Sequence, residues 1–179
     1  EDDVAGKNRI VLNWLLPEKD DPTRNMALSV LSYALMGTQA APLRKTLVDS
    51  ELAEDVIGGG LSAHLRQMTF RIGLKNVAAD DLDRAEALIL TTLAELAEAG
   101  IEEEMIEAAV NSIEFSLREN NTGAYPRGLI LYLRALNTWL YEGDPLAAIR
   151  FEAPRAAVKA ALTDDPDFLS GLIRVYLLD

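Results

Sequence analysis

The sequence predicts an α+β fold, an antiparallel or mixed sheet packed by helices and continued by a helical C-terminal part. Three observations carry that reading. Residues 67–74 alternate strictly, with Met68, Phe70, Ile72 and Leu74 on one face and Gln67, Thr69, Arg71 and Gly73 on the other; a period of two marks a half-buried strand. Residues 82–96 and 106–117 instead space their apolar residues three and four apart, as one face of a helix does. The segments follow the order β-α-α-β-β-α-α and then more helix. A hairpin in mid-chain, without strict alternation of strand and helix, excludes a doubly wound parallel sheet.

Each element has its own grounds. RIVLNWLL, residues 9–16, reads as a strand with Ile10, Leu12, Trp14 and Leu16 on one face and Val11 and Leu15 on the other, so both faces are expected to be at least partly buried. Pro17 and Pro22 break it, and Asp21 before Pro22 suits a helix cap with proline in the first turn. TRNMALSVLSYALMG is apolar on more than one side, hence a well-buried helix, and Gly37 ends it. APLRKTLVDS gives a shorter helix with Pro42 early and Leu43 and Leu47 together. Residues 54–61 form the antiparallel neighbour of 67–74, joined by a short connection near 62–65.

Asp80 or Asp81 caps the next helix, whose stripe Leu82, Ala85, Ile89, Leu93 and Leu96 runs to a stop at Gly100. Glu102, Glu103 and Glu104 suit the positive N-terminal end of the one after, with Ile106, Ala109, Val110, Ile113 and Leu117 as its stripe. ENNTGAYP is a polar break. Helical pieces at about 126–142, 144–162 and 166–178 complete the chain, parted at Gly143 with Asp144-Pro145 and at Asp164-Asp165-Pro166. The expected organisation is a flexible segment 1–8, an α+β core 9–122, and a helical part 123–179 of the same domain.

Composition narrows function. The chain has 179 residues, 49% of them hydrophobic, which suits one folded domain with a real core. Its 29 acidic and 17 basic residues give a formal charge of −12, which argues against a nucleic-acid surface, since that needs a basic stripe. No apolar run reaches the ~20 residues that cross a bilayer, so no membrane contact is expected. No export leader opens the sequence. Cysteine is absent, which removes disulfides and thiolate metal sites and fits a reducing compartment.

The stretch DVIGGGLSAHLRQMTFRIGL poses the functional question. Gly58-Gly59-Gly60 lacks the Lys-Ser/Thr pair of a phosphate loop and does not fit GxGxxG. His64 is the one histidine, so a zinc site with neither a second histidine nor cysteine is not supported, and His64 reads as a solvated residue between two strands. Nucleophile–base pairs lack a partner, and the carboxylates cannot be paired from sequence. Two compatible readings of the glycines stay open. They form a bulge or bend, or they leave an edge where another backbone approaches and adds a strand.

Four segments, LMGTQAAPLRKTLVDS, VIGGGLSAHLRQMTFRIGLKNV, NSIEFSLRENNTGAYPRGL and WLYEGDPLAAIRFEAP, resemble presequence proteases of the pitrilysin/insulinase class in order and spacing. The resemblance covers residues 8–179. It implies the metallopeptidase (LuxS/MPP-like) fold and a parent zinc metalloendopeptidase that degrades unfolded peptides in a closed chamber. The family's zinc motif, His-x-x-Glu-His, is missing here. The chain therefore resembles the second, non-catalytic domain of the N-terminal half, with no cofactor of its own and zinc in the parent.

The resemblance also implies partners: peptide substrates, the catalytic domain and the C-terminal half of the parent. Compartment follows source, cytoplasmic if bacterial and the organellar matrix if eukaryotic. Carried over from insulin-degrading relatives, a substrate-anchoring strand falls on residues 56–60, with contacts at the alternate positions Val56, Gly58 and Gly60. An acidic wall would suit Arg-rich targeting peptides. Glu51 and Ala53 stand where relatives often have glycine, which stiffens the approach to that strand. The alternatives are a purely structural module of the same fold and an interaction domain that binds no peptide. An uncovered sheet edge would let the chain pair with itself as a homodimer.

Overall fold

The computed structural model describes residues 8–119 and 125–179. Strand β1 (Asn8–Glu18) pairs antiparallel with β3 (Gln67–Val77), and β3 pairs antiparallel with β2 (Asp55–Ser62), so the sheet order is β1-β3-β2. The alternation of 67–74 is realised: Met68, Phe70, Ile72 and Leu74 are all 1% exposed or less and face the helices. Helices α1 (Pro22–Met36) and α2 (Pro42–Asp49) link β1 to β2. After β3 come a short 3-10 turn at 79–81, α3 (Leu82–Ala99) and α4 (Glu103–Glu119), then α5 (Arg127–Trp139), α6 (Glu152–Asp164) and α7 (Phe168–Ile173), with a wide π-helical turn at Arg174–Leu178.

Helix α1 is the hub of the helical layer. It packs on β2, α2, α4, α6 and α7, and its buried residues run round more than one side, from Ala27 and Leu28 to Leu35 and Met36. The Asp21 carboxylate caps it by accepting the N–H groups of Thr23 and Arg24. Helix α3 covers β1 and β3 and meets α7. Trp14 lies edge-on to Phe70, with ring centres 6.2 Å apart, and its indole N–H donates to Leu177 O at 2.9 Å. The last turn of the chain is thereby tied to the first strand.

Four expectations need correction. The outward residues of β1, Val11 and Leu15, are 42% and 77% exposed, because nothing among the described residues covers that side of the sheet. Pro17 does not stop β1; the strand continues to Glu18 across a register shift between Leu15 and Glu18, which an edge strand tolerates because the missing N–H has no ladder partner to lose. Asp81 occupies the cap position of α3 but makes no capping bond, its carboxylate pairing with Arg84 instead. Residues 144–150 are turn and not helix: the Asp144 carboxylate accepts the Leu146 N–H, and α6 starts only at Glu152.

The expected flexible segment 1–8 and most of the ENNTGAYP break lie outside the described residues, apart from Asn8, which opens β1, Glu119, which ends α4, and 125–126. Among the described residues no helix is long and apolar enough to cross a membrane.

Candidate functional site

The triple glycine lies in β2, an outer strand of the sheet. Ile57 stands opposite Gly73 and Gly60 opposite Arg71, so β2 holds one residue more than β3 over this span. That is a β-bulge. Gly58 and Gly60 adopt φ of 89° and 70°, a left-handed region that glycine enters freely and other L residues do not. A Cβ on Gly58 would sit 2.7 Å from Arg71 O, and one on Gly60 would strike Ser32 Oγ. Around Gly59 nothing lies within 4 Å of the corresponding position, and its φ is not left-handed.

Across the bulge the three alternate positions Val56, Gly58 and Gly60 differ in burial. Val56 is 7% exposed and packs in the core, and Gly60 is buried against α1, whereas Gly58 and Gly59 are exposed. Alternation holds only while the strand is regular, and the extra residue shifts the phase. Ser32, buried on α1, completes the arrangement by accepting the Leu61 N–H at 2.9 Å. Along this part of β2 the exposed residues are Asp55, Gly58 and Gly59.

A cleft of about 290 Å³ runs beside that edge, lined among others by Ser32, Tyr33 and Met36 of α1, Arg44 of α2, and Gly58 and Gly59. Arg44 makes one weak hydrogen bond, 3.4 Å to Gln39 Oε1, and no ion pair among the described residues. Arg71 is exposed on the open face of the sheet, also without an ion pair among the described residues. The signal for both was present in the sequence, since Arg71 follows from the alternation of 67–74 and Arg44 from the helix phase of 42–49, yet sequence reasoning did not single them out.

The groups with shifted acidity lie elsewhere and hold the scaffold. Hydrogen bonds from Arg155 and Lys159 lower the Glu114 carboxyl from its usual 4.5 to about 2, clamping α4 to α6, and Arg118 pairs with it too. Partial burial lowers the pKa of Lys19, whose amine donates to Ala63 O across the β2–β3 connection. His64 is exposed in that connection. One histidine and no cysteine in the chain do not make a zinc donor set, and among the described residues no three His, Asp or Glu side chains gather where a metal could bind.

The described residues thus form a small antiparallel sheet with helices on one face and a glycine bulge at its edge. Residues 1–113 match the peptidase M16 inactive domain, and the chain belongs to that family. It is 43% identical over 164 residues to presequence protease 1, chloroplastic/mitochondrial, of Arabidopsis thaliana, covering 91% of this chain and 15% of that protein. It is 34% identical over 178 residues to protein HypA of Clostridium perfringens, covering 99% of this chain and 18% of the relative. Among solved structures, the inactive peptidase domain of a Bordetella parapertussis protein superposes with a TM-score of 0.74 at 21% identity, covering 97% of this chain and 88% of that one. The chain thus spans less than a fifth of the length of these two curated relatives. It is an inactive M16 domain of the presequence-protease kind, with the corresponding α+β fold.

Proposed function

We propose that this domain serves in a larger zinc metalloendopeptidase that degrades unfolded peptides, beside a catalytic domain and a C-terminal half. There it forms part of the chamber wall and anchors substrate along β2. The observation that carries the reading is the outer edge of β2 at Gly58–Gly59, exposed, free of side chains and bordered by a cleft. An extended peptide can add to such an edge by main-chain hydrogen bonds, whatever its sequence. The peptide would meet the backbone of residues 55–60; the buried Val56 and Gly60 contribute main-chain groups there and Gly58 its bare surface.

Gly59→Val tests this cleanly. It places a branched side chain where nothing else stands and asks no left-handed φ of it. In the full-length protein, cleavage of long peptides should fall several-fold through a higher KM, with zinc content and hydrolysis of very short peptides unchanged. Equal cleavage of long peptides by the variant and the parent would leave only the structural reading, in which Gly58 and Gly60 serve the bulge alone.

A further inference from the structure

Building on the anchoring reading, the geometry points to an acid-selecting subsite at Gly58–Gly59, where Arg71 and Arg44 approach an added strand from opposite faces. Neighbouring strands lie roughly 4.8 Å apart, so a peptide strand beside β2 runs about 10 Å from β3. Ordinarily the side chains of the intervening strand would fill that gap. Here the residues nearest Arg71 across the ladder are glycines, so no side chain stands between its guanidinium and the peptide. On the other face Arg44 lines the cleft next to the same two glycines. Successive residues of an extended peptide point to opposite faces. Two consecutive acidic residues would therefore meet Arg71 on the open side and Arg44 in the cleft.

Charge bookkeeping favours this occupant. The chain carries −12 overall, yet the open face of the sheet bears Arg9, Arg71 and Lys75 against Asp55, and none of those three cations has an ion pair among the described residues. Other surface cations are matched, as Lys45 with Asp49 and Arg66 with Glu18, whereas Arg44 in the cleft, like the three on the sheet face, has no ion pair among the described residues. A second copy of the chain is a poor occupant, since antiparallel pairing of β2 with β2 would bring the arginines of one copy toward those of the other, and like charges across a pair are destabilising. Arg-rich targeting segments meet the same repulsion. The acidity of the whole chain is thus the wrong guide to this edge.

The experiment measures binding of fluorescently labelled peptides, each about ten residues, extended and free of charged residues outside the central pair, to the 179-residue chain. One peptide carries a central Glu-Glu and its twin Gln-Gln. The Glu-Glu peptide should bind about three- to ten-fold tighter at low salt, with the advantage shrinking in high salt, as expected for exposed pairs. Arg44→Gln and Arg71→Gln should each reduce the ratio, and together bring it to about one, while the Gln-Gln affinity stays put. Lys45→Gln, on the same helix as Arg44 but already paired, should leave the ratio intact.

Equal affinity of the two peptides for the parent chain overturns the subsite and spares the anchoring reading. A preference that survives the double substitution also overturns it. Failure of both peptides to bind removes anchoring itself, and a dimer seen by light scattering that peptide does not dissolve assigns the edge to self-pairing instead.

Discussion

Gly58 and Gly60 carry the bulge because each combines a left-handed φ with a neighbour too close for a Cβ. Strain of ~1–3 kcal/mol for the backbone adds to the cost of pushing aside Arg71 O or Ser32 Oγ. Gly58→Ala and Gly60→Ala should each destabilise the chain by about 2–4 kcal/mol in denaturant unfolding, while Gly59→Ala stays within about 0.5 kcal/mol. Three adjacent glycines thus have unequal reasons, and Gly58 is a poor place to probe binding because its replacement disturbs folding first. Glu51 makes the converse case. It holds φ of 55° at the position where the family resemblance expects glycine, so Glu51→Gly should raise stability by up to about 1 kcal/mol. A melting temperature unchanged or lowered by that substitution would show that the glutamate side chain compensates for the turn.

Between elements, the contact most open to test is the clamp of α4 on α6. Hydrogen bonds from Arg155 and Lys159 hold the Glu114 carboxyl low in the folded chain, at about 2 from the usual 4.5. A carboxyl whose folded pKa is depressed contributes stability that is fully present above the unfolded value and is lost as pH falls through the folded one. The stability gap between the parent chain and Glu114→Gln should therefore be constant near neutrality, begin to close below about 4.5 and vanish toward 2. A gap that ignores pH would mean that shape and not charge holds the helices together.

Legibility also divides at this scale. The central strand, the α1 cap at Asp21 and the α3 and α4 stripes were readable because burial imposes a period on the sequence. The bulge was not, since glycine has no side chain to reveal phase, and regular alternation along Val56, Gly58 and Gly60 does not hold across it. The start of α6 was misplaced because the Asp144 carboxylate holds a local turn that leaves the same polar signature as a helix cap. The exposure of Val11 and Leu15 depends on what covers the sheet, which a strand's own letters do not record.

Across the whole molecule, order is uneven. The sheet, α1 and α3 share the buried core, whereas α5 has no buried residue and shows Leu129, Tyr132 and Leu133 at 43%, 55% and 44% exposure. Local opening costs least where few apolar contacts are lost. Amide hydrogens of α5 should exchange orders of magnitude faster than those of α1 in the isolated chain. Protection of α5 equal to that of α1 would show that it docks on the body. Helical signal alone could not have separated the two, because an amphipathic pattern looks the same whether or not its apolar side finds a surface. Among homologous chains, mitochondrial and chloroplastic proteins stand beside bacterial ones, so this architecture serves in more than one compartment.

The open space around Gly59 has a bearing on heredity as well as on shape. Folding constrains Gly58 and Gly60 but is indifferent to a modest side chain between them, so drift at codon 59 is invisible to any selection for a stable chain. A population held only to fold would let that letter wander, and one held to grip peptides would keep it small. The middle glycine is thus the place in this edge where natural variation records use and not architecture.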